Sequence, residues 1–293
     1  MVVSRFYIFI FLVALKALCG ESAEIFDKSI AELRRSKSMK TVLRSGKRAP
    51  DFKLLDQSGS TVNLNKLLEQ GPVVIVFYRG SWCHYCNLAL LSLSEISSQI
   101  DDLGVKLVAI TPEIGDGIHK IAAKVSPSFF ILSDPDGKVA SNYGLNFRVP
   151  DQVNEIYSQM GISLSKANRN SKQRLPIPAT YIVDQTGLIK FDFVDADYKV
   201  RVDKQELLQS LQNLVHATES ISKRAKLQIA GMSCGSCSKA ITSRLSAKDG
   251  VVSVEVSHET GLAHIEYINT KITLQQLVDS VGRGFKVITA ENY

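Results

Sequence analysis

The sequence predicts an α/β protein with a mixed sheet, followed by a small second unit of βαββαβ order. Three observations carry this. From residue 50 to residue 217, apolar runs of strand length alternate with segments of helical spacing. A polar stretch without pattern, Thr218 to Arg224, separates that region from the rest. On each side lies one Cys-x-x-Cys pair, Cys83/Cys86 and Cys234/Cys237. The 293 residues suffice for one large and one small domain, and a chain that is 45% hydrophobic and 22% charged is neither disordered nor a polytopic membrane protein.

In chain order, Met1 to Arg5 is a short basic start and Phe6 to Leu15 an unbroken apolar run. With Ala17-Leu18-Cys19 as an A-x-A-like cleavage site, residues 1–20 read as an export signal. An uncleaved membrane anchor is the alternative, and in both readings the body lies outside the cytosol, secreted or periplasmic. Residues 21–45 form a lead whose stretch from Glu24 to Leu43 reads as a charged amphipathic helix. Residues 46–217 form the larger domain. There Phe52 to Leu55 and Thr61-Val62 flank a Ser58-Gly59 turn, a hairpin signal. Pro72 to Tyr78 and Val105 to Thr111 are continuous apolar runs, the mark of strands buried on both faces. Cys83 to Ile100 and Ile118 to Val125 have helical spacing, and Phe129 to Leu132 is a short strand. Asp134-Pro-Asp-Gly137 reads as a turn, because no downstream acidic ligand supports a calcium loop. Thr180 to Asp184 and Leu188 to Val194 form a second hairpin, and Lys204 to Ala217 a closing helix.

Residues 218–224 then read as a linker and 225–293 as the second domain. Its strands are Lys226–Ala230, Val251–Ser257, Leu262–Ile268 and Phe285–Thr289, with helices over Ser236–Leu245 and Leu274–Val281. The net charge of +6 owes much to the stretch from Arg34 to Arg48. That stretch lacks interleaved aromatics, so it reads as a solvated helical face, with no nucleic-acid partner.

Five cysteines are present, and Cys19 belongs to the signal or the terminus it leaves. The other four make two local pairs, which is the pattern of two sites and not of a disulfide scaffold. Cys83 and Cys86 lie where a strand gives way to a helix. Unpaired N–H groups and the helix dipole there favour a thiolate. Thioredoxin logic makes Cys83 the more exposed member and the attacking thiol, with Cys86 resolving. His84, between them, would make the disulfide more oxidising if partly protonated. Pro178 is the candidate for the cis proline that thioredoxin-type folds set opposite such a pair. Arg79 and Arg201 could supply positive charge, although a surface ion pair is the expected role of each.

Ala49-Pro-Asp-Phe52, Phe77-Tyr-Arg-Gly80, Trp82-Cys83-x-x-Cys86, Ala109-Ile-Thr-Pro112, Leu132-Ser-Asp134 and Leu175-Pro-Ile-Pro-Ala-Thr180 together resemble the peroxiredoxin-like AhpC/TSA family of the thioredoxin superfamily. The resemblance implies a thioredoxin-like fold and thiol-dependent reduction of a peroxide or a protein disulfide. It also departs from the family. Arg79 stands where the family has a proline, Cys83 where it has a threonine, and Cys86 where it has the peroxidatic cysteine. By that register Cys86 attacks, so both thiols stay open as the nucleophile, with Cys83 the favoured one.

Met232-x-Cys234-x-x-Cys237, at the start of the first helix of a βαββαβ unit, resembles the heavy-metal-associated domain of copper chaperones and metal ATPases. The resemblance implies a ferredoxin-like fold and a soft metal ion held by Cys234 and Cys237, with Met232 packed inward. Ser233, in place of a hard aspartate oxygen, points to Cu(I) over Zn(II). His258 and His264 flank a hairpin turn and read as exposed. The combined expectation is an exported peroxiredoxin-like oxidoreductase with a fused domain for Cu(I) or another soft ion. The rival is a copper chaperone whose thioredoxin-like domain is a second metal or docking site without turnover. Expected partners are a peroxide or protein disulfide and a copper donor or acceptor protein, with a membrane only through an uncleaved signal anchor.

Overall fold

The computed structural model describes residues 20–282 and 284–293, and for residues 218–221 the backbone alone. The export signal expected over residues 1–20 therefore lies outside the described residues except for Gly20. No described helix is long and apolar enough to cross a membrane. The chain divides into two compact units at Leu211/Gln212.

The lead is two helices where the sequence pattern suggested one. Helix α1 covers residues 20–35, and Ser36 then leaves helical geometry at ψ 162°. Its Oγ accepts the Met39 N–H at 3.4 Å and so caps α2, Lys37–Thr41. The chain leaves α2 extended, and Leu43 N donates to Tyr143 O at 3.1 Å, which fastens the lead to the larger unit.

Strands β1 (Lys53–Leu55) and β2 (Thr61–Asn63) form the expected hairpin, followed by α3, Leu64–Leu68. Strand β3 (Val73–Phe77) is buried at every position. Helix α4, His84–Ser94, and α5, Ser97–Asp102, replace the single helix expected over Cys83–Ile100. Buried Ile96 adopts φ −106° and ψ 7°, and this tight bend turns α5 away from the axis of α4. Next come β4 (Lys106–Thr111), α6 (Asp116–Ala122) and β5 (Phe129–Ser133).

The stretch from 138 to 176 carried few sequence signals, and it holds five short elements. These are α7 (Lys138–Asn142), β6 (Asn146–Arg148), α8 (Asp151–Gln159), α9 (Leu164–Ala167) and β7 (Arg174–Pro176). Asp134, in the expected turn, is buried and accepts the Val139 and Ala140 N–H groups, so it caps α7. Strands β8 (Ala179–Val183) and β9 (Ile189–Val194) complete the large sheet, in the order β2-β1-β5-β4-β3-β8-β9. Strands β3, β4 and β5 run parallel, and β8 runs antiparallel to β3 with Phe77 opposite Ala179. This is the thioredoxin-like α/β arrangement expected, with the C-terminal end of central β3 feeding the first cysteine pair.

Phe77, Tyr143 and Tyr181 meet in the core, with ring centroids 5.0 to 6.2 Å apart. Burial of each ring stabilises the fold by about 2–3 kcal/mol. Just after Tyr143, Gly144 sits at φ +74°, and a Cβ there would lie 2.2 Å from the Thr41 carbonyl oxygen. Gly144→Ala is expected to cost about 3 kcal/mol, from left-handed strain plus a backbone clash. Urea unfolding should show the midpoint falling accordingly, and an unchanged midpoint would refute the account.

Helix α10, Lys204–Ile221, is followed directly by β10, Ser222–Ala230. The linker expected over 218–224 is thus the end of a helix and the start of a strand. No Gly or Pro interrupts it, and Ser222, Lys223 and Arg224 find ladder partners in Ile268, Tyr267 and Glu266. The remaining elements are α11 (Gly235–Ser246), β11 (Val251–Ser257), β12 (Leu262–Ile268), α12 (Leu274–Ser280) and β13 (Lys286–Asn292). Their antiparallel order, β11-β12-β10-β13, is the ferredoxin-like one. Alternate residues Ala225, Leu227 and Ile229 bury one sheet face against Ile241, Leu245 and Leu277 of the two helices.

Candidate redox and metal-binding sites

The first pair sits on a loop gripped from two sides. Gly80 adopts φ +152°, and a Cβ there would lie 2.4 Å from the Trp82 ring nitrogen, so this turn requires glycine. Glu113, just beyond β4, is buried and accepts the Ser81 N–H at 2.6 Å and the Ser81 hydroxyl at 2.9 Å. Burial pushes its carboxyl up in pKa, and the Ser81 bonds work against that. Asn87 Nδ2 donates to Ser81 O from the other side at 2.8 Å. Cys83 then occupies the N-cap of α4, and its N–H closes onto Gly80 O at 3.1 Å.

The two sulfurs are 2.8 Å apart and share a hydrogen bond. Both thiols are free and buried, with Cys83 5% exposed and Cys86 0%. The difference in exposure expected from thioredoxin logic is therefore slight. Charge separates the two far more. The hydrogen bond to Cys86 and then burial push the Cys83 thiol up. For Cys86, burial acts upward but is outweighed by the bond with Cys83 and the charges of Arg201 and Arg79, so its thiol is depressed. The cations therefore favour ionisation of Cys86 over Cys83.

Arg201 and Arg79 supply that charge, and among the described residues neither pairs with a carboxylate. This corrects the expected surface ion pairs. Arg201 Nη2 donates to Cys86 Sγ at 3.4 Å. Arg79 is 4% exposed and lies over three rings, 4.0 Å from the Tyr198 centroid, 5.0 Å from Trp82 and 5.5 Å from Tyr157. Its Nη2 also donates to the Tyr157 hydroxyl. Phe26 of α1 stacks on the outside of this cage, 5.8 Å from Tyr157. His84, by contrast, is exposed at the first turn of α4 and packs edge-on to Tyr85.

Pro178 does line the cavity beside the pair, together with Cys86, Ala89, Thr180, Phe193 and Arg201. Its peptide bond is trans, as are all described peptide bonds, which corrects the cis expectation. The β6–β7 ladder pairs Pro176 with Asn146, and Ile177 N donates to Leu145 O at 2.8 Å, so the chain arrives at Pro178 already extended.

The second pair lies at the end of β10. Cys234 is the N-cap of α11 and exposed, Cys237 is half-buried, and their sulfurs are 3.7 Å apart. The Cys234 thiol is lowered to about 6, first by the Ser236 hydroxyl at 3.2 Å and then by the Cys237 and Ser236 N–H groups. Met232 packs inward against the small core, and the turn at Gly284-Phe285 lies alongside Gly231. Among the described residues no group of three or more His, Cys, Asp or Glu side chains is assembled for a metal. A pair of close thiols with no carboxylate gathered beside it suits a soft, low-coordinate ion. His264 bonds Tyr293 at 2.9 Å, while His258 is half-buried beside the loop.

Sequence reasoning missed Glu113, Tyr157 and Tyr198. Glu113 could have been suspected from its place after Thr111-Pro112 at a buried strand's C-terminal end. Nothing in the sequence marks the two tyrosines, which reach Arg79 from distant segments.

Residues 45–192 match the AhpC/TSA family, and residues 226–285 match the heavy-metal-associated domain. A putative peroxiredoxin bcp of Haemophilus influenzae is 31% identical over 103 residues, 35% of this chain and 66% of that protein. The chain thus spans just under two thirds of that relative's length. The copper chaperone CopZ of Staphylococcus aureus is 38% identical over 63 residues, 21% of this chain and 93% of that protein. The crystal structure of peroxidoxin BcpB from Mycobacterium tuberculosis is similar at 19% identity and a TM-score of 0.45, covering 59% of this chain and 98% of that one.

Proposed function

The chain belongs to the AhpC/TSA family of peroxiredoxin-like, thiol-dependent oxidoreductases and carries a heavy-metal-associated domain, and from this we propose that it is an exported peroxide or disulfide reductase that also binds Cu(I). The observation that carries the redox half is the Cys83/Cys86 pair, its sulfurs 2.8 Å apart, with Arg201 Nη2 donating to Cys86 Sγ at 3.4 Å. With a peroxide, Cys86 Sγ attacks one oxygen and the O–O bond breaks. The departing oxygen takes a proton and leaves as alcohol or water, and Cys86 becomes a sulfenic acid. The Cys83 thiol then attacks the Cys86 sulfur, water leaves, and the Cys83–Cys86 disulfide forms. Sulfurs already in contact make this second step possible without unwinding α4. An external thiol reductant returns both to thiols. With a protein disulfide the same dithiol is oxidised through a mixed disulfide.

Export is supported by the basic start and apolar run of residues 1–15. Outside the cytosol the Cys234/Cys237 thiols would hold Cu(I) as cargo, exchanged with a donor or acceptor protein. Their exposure suits such hand-over, and their two-sulfur donor set suits a monovalent soft ion.

One observation favours the rival reading, a metal-handling protein without turnover: both sulfurs of the first pair are almost inaccessible. Reduced full-length protein separates the two. The redox reading expects two thiols lost per peroxide or disulfide consumed, and one Cu(I) per chain. Two Cu(I) per chain with no thiol consumption would establish the rival.

A further inference from the structure

The loop that carries the second cysteine pair has an imidazole beside it. Strand β10 leads into the Cys234/Cys237 loop, and the β11–β12 turn is fastened to the end of that same strand. Ile229 N donates to Gly261 O at 2.7 Å, and Gln228 Nε2 donates to Thr260 O at 3.3 Å. This docking carries His258, the first residue after β11, to the metal loop. The nearest neighbour that a Cβ on Gly235 would meet is His258 Cε1, at 4.0 Å. Gly235 stands directly after Cys234, and Cε1 is bonded to both ring nitrogens, so either tautomer has a nitrogen close to the loop. Among the described residues no hydrogen bond or ion pair holds the His258 ring. His264, on the other side of the turn, is held by Tyr293.

We infer that His258 is the third ligand of the ion held by Cys234 and Cys237, so that binding converts a two-sulfur site into a Cys₂His site. Resting on the metal assignment proposed above, this explains how an exposed pair retains an ion with no carboxylate or third thiol assembled nearby. Among the described residues the three side chains are not gathered into a metal-ligand group, so ligation requires the His258 side chain to move toward the thiols. Both thiols give up their protons, the neutral imidazole contributes a lone pair, and no redox change is involved. An imidazole nitrogen is a borderline donor that Cu(I) accepts beside two thiolates. It also leaves room for an incoming thiolate of a recipient protein, because one nitrogen is displaced more readily than a sulfur.

The test uses the reduced full chain, without oxygen, and one equivalent of Cu(I), a diamagnetic ion. Side-chain NMR should show the His258 ring resonances moving on Cu(I) addition while those of His264 stay. His258→Ala should weaken Cu(I) retention against a competing chelator by about tenfold. Unmoved His258 resonances in a chain whose Cu(I) is lost by Cys234→Ser would overturn the third ligand alone. Unchanged Cu(I) affinity in Cys234→Ser would overturn the metal assignment, and the inference with it.

Discussion

Cys86→Ser is expected to lower peroxide turnover by about 10³-fold or more, the scale on which loss of a nucleophile is felt. Cys83→Ser should behave differently. It keeps the thiolate and both arginines, so it should consume one equivalent of peroxide and stop at a Cys86 sulfenic acid that dimedone traps. The asymmetry follows from the environment of the two sulfurs, since only Cys86 receives the Arg201 hydrogen bond. The measurement is single-turnover peroxide loss with mass spectrometry of the product. A sulfenic acid on Cys83 in the Cys86→Ser protein would reverse the assignment and restore the thioredoxin order of attack.

Arg201→Ala should move the acid limb of the pH–rate profile to higher pH. The sign follows from the direction of the Cys86 shift. A depressed thiol is thiolate above its own pKa, so activity is present there and is lost as pH falls through it. Removing one of the cations that outweigh burial raises that pKa, and activity fails at a less acidic pH. Arg201 is partly exposed, so its share is discounted for solvent to about 1 kcal/mol, or about fivefold in rate on the acid limb. At high pH, where the thiol is ionised in either protein, the two rates should converge. A rate lowered equally at every pH would mean that Arg201 acts on the peroxide and leaves the thiolate population alone.

Both predictions depend on residues whose importance the sequence shows unevenly. The two Cys-x-x-Cys pairs and the strand that precedes the first were legible, because spacing and apolar continuity are local properties. So was the order of elements in the smaller unit, where alternation of period two marks β10 and β12 with one buried face. The five short elements between Lys138 and Pro176 were not. Four are too brief to show a period, α8 shows one in Val153, Ile156 and Tyr157 that the sequence reading passed over, and they are held by contacts such as Ile177 with Leu145 and Pro176 with Asn146.

The sequence by itself determined that this chain joins a thioredoxin-like unit with a redox-type cysteine pair to a ferredoxin-like unit with a metal-type pair. Residue spacing and strand-to-helix order suffice for that. Only the tertiary structure shows which sulfur of the first pair the cations favour as thiolate. That depends on Arg79, desolvated inside a cage of Trp82, Tyr157 and Tyr198, and on Arg201, which reaches Cys86 from 115 residues away along the chain. A pKa is set by distances to charges and by exclusion of water, and neither is written in the spacing of two cysteines. The same holds for the second pair. The motif names its two thiols, and the docking of the β11–β12 turn brings an imidazole beside the loop that carries them.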